Sequence, residues 1–130
     1  MTVTAKFDAK TELLAALKSS TLLQKEVIGG FHNLVAESTD DNPIPFPRIV
    51  YQEITNNDDD YADNKATSAL VKFQMSIYCD SKTIGKQTPI AKEIDDVMKS
   101  IDYAQYDSID LYETDTKLYH KPVRYSKKIY

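Results

Sequence analysis

The chain has 130 residues, of which 42% are hydrophobic and 28% are charged, and its formal net charge is −4. This length and balance predict one globular domain over residues 1–130 with its own hydrophobic core. The acidic balance argues against general attraction to nucleic acid, and no apolar run approaches the roughly 18 residues that a membrane-spanning helix requires. We therefore expect neither a membrane nor sequence-specific nucleic acid among the partners.

The first third of the chain predicts helix followed by loop. Asp8–Lys18 reads as a helix with an aspartate at its N-cap, and the poorer helix formers of Ser19–Thr21 interrupt it before a second short turn. The pair Gly29-Gly30 ends the helical region. Phe31–Ser38 is a weak strand prediction, and residues 39–47, with three prolines, predict an extended loop.

The middle of the chain predicts two strands separated by a polar loop. Arg48–Thr55 is the first strand, and Asn56–Asn64, with three consecutive aspartates, predicts a surface loop. Ala69–Cys79 is the second and longer strand, because its residues alternate with a period of two. Its inward face carries Val71, Phe73, Met75, Ile77 and Cys79. The length of this strand suggests a central place in the sheet.

The last third predicts one helix and two strands. Thr88-Pro89 can begin a helix, and an apolar stripe follows at helical spacing: Ile90, Ile94, Val97, Met98 and Ile101. Gln105–Thr114 predicts a strand with Ile109 and Leu111 on one side. After a turn, Leu118–Tyr130 predicts the last strand, with Pro122 marking a bulge or an edge. The predicted fold is α+β, a mostly antiparallel sheet of four to five strands with two main helices packed on one face.

Charge is segregated in this last third. Asp102–Asp115 carries five acids and no base, whereas Lys117–Tyr130 carries five bases and no acid. Antiparallel pairing of the two segments sets these charges opposite one another. The basic strand has three interpretations: an edge strand protected from aggregation by lysine and proline, a protein-contact strand, or a stacking surface for nucleic acid.

The residues that could carry chemistry form no recognisable motif. Asp58, Asp60 and Asn64 invite a metal ion, but the glycine and glutamate of a calcium loop are missing, so a solvated loop or an interaction loop is preferred. His32 and His120 lack partners at zinc-ligand spacing. A nucleophilic pair of Cys79 with either histidine has no local signature. We therefore predict no catalytic residue, no metal, no cofactor and no enzyme activity.

Four segments follow one another in a recognisable order. After the N-terminal helix and the proline-marked loop come FPRIVY at Phe46–Tyr51, FQMSIY at Phe73–Tyr78, the connection Asp80–Lys82, and IDDVM at Ile94–Met98. In this order, and over roughly residues 8–128, the chain resembles the small tail-completion proteins of long-tailed bacteriophages. These proteins are also called tail terminators or head-to-tail joining proteins.

The resemblance implies a structural protein rather than an enzyme. It implies a six-fold ring that caps the tail tube and joins it to the head connector, with no cofactor. The implied partners are further copies of the chain, the tail tube protein and the head-completion protein, in the host cytoplasm and then in the virion. The implied contact regions are the predicted loop 56–64 and the sheet edges. With the basic last strand, the candidate contact residues are Asp58, Asp59, Asp60, Tyr61, Arg124, Lys127 and Lys128.

Two alternatives stay open, a regulatory or peptide-binding domain that uses an exposed sheet edge and an enzyme that uses Cys79. The ring hypothesis draws support from the segregated charges, because an acidic patch meeting a basic patch on the next subunit suits head-to-tail contacts. It predicts a salt-sensitive hexamer. It also predicts that replacing Lys127 and Lys128 with glutamate weakens assembly and leaves the fold intact.

Overall fold

The computed structural model describes residues 3–130. Its helices and strands are α1 (Ala9–Lys18), α2 (Thr21–Glu26), β1 (Phe31–Asn33), β2 (Arg48–Ala62), β3 (Lys65–Cys79), α3 (Gln87–Ser100), β4 (Ala104–Ser108), β5 (Leu111–Glu113) and β6 (Leu118–Ile129), with 3-10 turns at Val3–Asp8 and Ile84–Lys86. None of the helices in the described part of the chain is long and apolar enough to cross a membrane.

The strands form one sheet in the order β1-β2-β3-β6-β4, with β5 pairing β6 beyond the end of β4. Only β1 and β2 are parallel, and all the other pairs are antiparallel. The predicted α+β class with a mostly antiparallel sheet is confirmed. The sheet has six strands instead of four to five. Besides the two main helices, α1 and α3, the chain forms a short third helix, α2.

The central strand is β3, as its alternating pattern predicts. Its five inward side chains, from Val71 to Cys79, are fully buried and belong to one core cluster with residues of the helices. Ile90, Ile94 and Met98 supply the buried stripe of α3, while Val97 and Ile101 are only partly buried. The apolar stripes of the helices pack against this face of the sheet, and together they form the core.

The helix ends differ from two sequence predictions. Asp8 precedes α1, but its side chain makes no capping hydrogen bond. α3 begins at Gln87, so Thr88 lies inside the helix rather than at its cap. The break at residues 19–20 is confirmed: the Ser20 hydroxyl accepts a hydrogen bond from the Leu23 amide at 3.2 Å and caps α2.

The largest difference concerns residues 56–64: the prediction of a surface loop over Asn56–Asn64 is wrong. Residues 56–62 continue β2, and only Asp63 and Asn64, both with positive φ, form the two-residue turn to β3. β2 and β3 are therefore strands of 15 residues each. Asparagine and aspartate disfavour strands locally, but register with the whole length of β3 overrides that preference.

The last strand is not an edge strand, which corrects one interpretation of its lysines and Pro122. β6 lies between β3 on one side and β4 and β5 on the other. The predicted strand Gln105–Thr114 is split into β4 and β5, and the Ile109 amide in the break donates to the Pro122 carbonyl at 3.1 Å. Ile109 and Leu111 are consequently exposed rather than packed on one side.

Candidate protein-contact site

The four acidic-run candidates lie on the outer half of the hairpin formed by β2 and β3. Asp58, Asp59, Asp60 and Tyr61 are successive residues of β2, but Asp60 has a positive φ of 44° that interrupts the regular alternation of side chains, and its carboxylate meets the same lysine as that of Asp59. Asp58 is in register with Ala69 of β3. This side of the ribbon is the one that carries the buried Val71.

Asp58 forms an ion pair that the sequence does not reveal. The Lys6 ammonium lies 2.6 Å from Asp58 Oδ1, and only 11% of the Lys6 side chain is exposed. The side-chain amide of Asn56 donates to the Lys6 backbone carbonyl at 3.0 Å. This hydrogen bond and the ion pair together hold the N-terminal 3-10 turn against the hairpin. Lys6 was missed because 52 positions separate it from Asp58, and nothing in its local sequence marks it.

Asp59 and Asp60 meet the basic end of β6. The Lys128 ammonium reaches across β3, lying 3.7 Å from Asp59 Oδ2 and donating a closer hydrogen bond to Asp60 Oδ2. That hydrogen bond lowers the pKa of Asp60 and raises the pKa of Lys128. The acidic run of β2 and the basic end of β6 are thus brought together within one chain, although these two carboxylates lie outside the predicted acidic segment Asp102–Asp115.

The remaining basic candidates point in different directions. Arg124 is in register with Gln74 on the face away from the helices, and its Nε donates to Gln74 Oε1 at 3.1 Å. Lys127 is in register with Val71, and its ammonium lies 5.4 Å from the centre of the Tyr103 ring. Because neighbouring residues of a strand alternate faces, Lys127 lies on the opposite face of the sheet from Arg124 and Lys128, and the three do not form one continuous basic patch.

Replacing Lys128 with glutamate is expected to loosen the outer hairpin, since a third carboxylate then faces Asp59 and Asp60. Hydrogen exchange of the amides of residues 56–68 should become faster, and the effect should shrink in high salt because exposed charges are screened. Lys92→Glu, at an exposed position of α3, is the matched control. Equal exchange in the two variants would contradict the contact. The Lys127 and Lys128 reversal is therefore expected to disturb the hairpin as well as any assembly.

The hairpin tip, Tyr61–Lys65, stands apart from these ion pairs. All five of its residues are exposed, Tyr61 by 66%. Among residues 3–130 its side chains make no hydrogen bond or ion pair. It offers an aromatic ring, a carboxylate and an ammonium to solvent.

A recess lies at the opposite end of the same strands. This recess, which we call the Arg48 recess, has a volume of about 260 Å³ and is lined by Leu34, Val35, Arg48, Tyr78, Glu113 and Leu118 among others. Leu34 and Val35 are 62% and 59% exposed, so its rim is apolar and open. The sequence did not predict it, because its walls come from four segments that are distant along the chain.

Arg48 is held in this recess with few partners. Its guanidinium carbon lies 4.3 Å from the centre of the Phe46 ring, and its Nη1 donates to the Ile44 carbonyl at 3.2 Å. Its Nε atom is buried and has no hydrogen-bond partner in the described chain. Burial lowers the pKa of Arg48, because desolvation disfavours the charged form.

His120 lies behind the recess. Its ring stacks on Tyr78 with 4.2 Å between the centroids, and its Nε2 atom is buried without a partner in residues 3–130. Burial lowers the pKa of His120, which favours the neutral ring. Burial is also the main cause of a raised pKa at Tyr78, and the nearby Glu113 carboxylate adds to it.

The residues considered for nucleophilic chemistry are separated by the sheet. Cys79 is buried on the helix-covered face, where burial raises the pKa of its thiol, whereas the register places His120 beside Tyr78 on the other face. The pair of Cys79 with His120 is therefore not formed. The His32 ring is 2.7 Å from the Gly29 carbonyl. Within residues 3–130 there is no group of three histidine, cysteine, aspartate or glutamate side chains that could hold a metal ion.

A scan against protein-family models and a search of curated proteins found no match to this sequence.

Proposed function

We propose that this chain is a structural phage protein that caps the tail tube as a ring and joins it to the head connector. Its partners are further copies of itself, the tail tube protein and the head-completion protein. It acts in the host cytoplasm during assembly and then at the head–tail junction of the virion. It acts through protein contacts and needs no catalytic residue or cofactor.

The observation that carries this proposal is the long hairpin of β2 and β3. Only one face of the sheet is covered by helices, and the hairpin continues to an exposed tip whose side chains have no partner among residues 3–130. An extended ribbon of this kind buries little surface in its own domain. It is suited to reach another subunit in an assembly.

The contacts change the electrostatic part of the hypothesis. Lys6 and Lys128 are already paired with Asp58, Asp59 and Asp60 inside the chain. These charges are therefore not free to join one subunit to the next. We therefore expect any salt sensitivity of the ring, measured by light scattering at low and high salt, to come from charged groups other than these.

Deletion of this chain from a phage that encodes it tests the function directly. We expect heads and tails to accumulate separately, and the tail tubes to grow beyond their normal length because no ring stops polymerisation. Electron microscopy of lysates measures both effects. Supplying the wild-type chain, or the Gly85→Ala variant in an open surface position, should restore joined particles. Joined particles with tails of normal length in the deletion strain would contradict the proposal.

The second candidate, a domain that binds peptides at a sheet edge, is favoured by one observation. The outer edge of β4 and β5 carries four exposed large apolar residues: Tyr106, Ile109, Leu111 and Tyr112. However, these strands have five and three residues and are separated by a break. They offer a bound peptide few consecutive backbone groups. A monomer that binds an extended peptide in solution would favour this candidate.

A further inference from the structure

We propose that the Arg48 recess of one copy receives the hairpin tip, Tyr61–Lys65, of a second copy. This inference rests on the proposed function, because it names the contact by which neighbouring subunits of the ring are joined. It predicts a head-to-tail contact in which every copy offers one hairpin tip and one recess.

The recess lacks a partner for its buried polar atoms. Of the three buried side-chain atoms without a hydrogen bond in the described chain, Arg48 Nε belongs to a residue that lines the recess, and His120 Nε2 belongs to a ring stacked on the lining residue Tyr78. Arg48 is only partly exposed, and its Nε–H is a buried donor without an acceptor, which is costly to leave unpaired. Residues 3–130 provide no carboxylate in an ion pair with Arg48. The missing partner is therefore an acceptor, most favourably a carboxylate.

The hairpin tip carries the complementary groups. Asp63 can accept from Arg48, and two positions later Lys65 can pair with Glu113, which lines the recess together with Arg48. The exposed Tyr61 ring matches the open apolar rim made by Leu34 and other residues. Tyrosine flanked by charged residues is a typical anchor of protein interfaces.

The tip cannot fill the recess of its own chain. Arg48 begins β2 and Ala62 ends it, and 14 residues of extended strand at about 3.3 Å each separate the two by about 45 Å. The pairing of β2 with β3 along this length keeps the ribbon extended. A contact between two different surfaces of identical subunits is heterologous, and it produces a ring when the rotation closes.

Site-directed cross-linking tests the contact. Ala62→Cys in the tip is mixed with Thr116→Cys, which lines the recess, and the mixture is treated with a short bismaleimide. We expect a cross-linked dimer in yield roughly tenfold above that of the control mixture, because docking holds the two thiols at high effective concentration. The control mixes Ala62→Cys with Lys92→Cys, an exposed position on α3. Cys79 is fully buried and should not react.

Three results of the cross-linking overturn the inference. Equal yields in the two mixtures indicate random collision, and efficient linking of Thr116→Cys to itself indicates a contact between two recesses. No dimer at high protein concentration, with both thiols shown to be reactive, excludes the docked tip. A hexamer by light scattering without the cross-link would leave the proposed function in place and assign the ring to other surfaces. A cross-linked dimer without a tail defect in the deletion strain would support the contact and contradict the proposed function.

Discussion

Replacing Gly29 with alanine is expected to lower the free energy of unfolding by about 1–3 kcal/mol, the usual cost of overpacking. A Cβ atom built on Gly29 lies 2.1 Å from the Pro45 carbonyl oxygen, 2.6 Å from Arg48 Cβ and 2.9 Å from the Pro47 carbonyl oxygen. Two of these neighbours are backbone atoms and cannot move aside without shifting the chain. The Gly29 amide also donates to the Pro47 carbonyl at 2.8 Å.

Gly85→Ala is the matched control, because no atom lies within 4 Å of a Cβ built there. A substitution of this kind changes stability little, or raises it by up to about 1 kcal/mol by restricting the unfolded chain. Urea denaturation of the two variants measures the difference. The same unfolding midpoint for both would contradict the close approach. Since Gly29 touches Arg48, the Gly29 variant should also lose the cross-link at the recess.

The second large effect is expected at Phe73, which lies at the middle of the sheet. Its side chain is fully buried, its ring centre lies 6.0 Å from that of Tyr103 in an edge-on arrangement, and the register places it between Glu53 and Tyr125. Phe73→Ala leaves a cavity in the hydrophobic core, and such substitutions cost about 3–5 kcal/mol. A domain of this size has a total stability of about 5–15 kcal/mol. Partial or complete unfolding of the Phe73→Ala variant at physiological temperature is therefore expected.

The control for Phe73→Ala is Thr67→Ala, at an exposed position of the same strand. It should cost less than about 1 kcal/mol, because only the strand preference of threonine is lost. Both free energies can be measured by chemical denaturation monitored by circular dichroism. A loss below about 1 kcal/mol for Phe73→Ala would contradict the assignment of this ring to the core.

The pairing of charges follows only in part from the sequence. Segregation of acids and bases in the last third predicts pairing between the two segments, and the strands do pair, with Lys121 lying 2.8 Å from Asp110. Lys128 instead crosses β3 to reach Asp59 and Asp60 on β2. The sequence suggests which charges are available, but strand order determines which of them meet.

Local pattern alone determined the parts of the fold that depend on neighbouring residues. The period of two in β3 and the helical spacing of Ile90, Ile94 and Met98 predict both elements and their buried faces, because side-chain direction repeats along a single strand or helix. The same reasoning locates the helix break at residues 19–20 and the turn after β5. Each of these features is a property of a short segment.

Only the tertiary structure decided the features that join distant segments. The strand character of residues 56–62 comes from register with β3 and contradicts their local preference. The interior position of β6, the ion pair between Lys6 and Asp58, and the Arg48 recess all depend on which strands are neighbours. Local periodicity carries no information on strand order, since that order is set by the packing of the whole core.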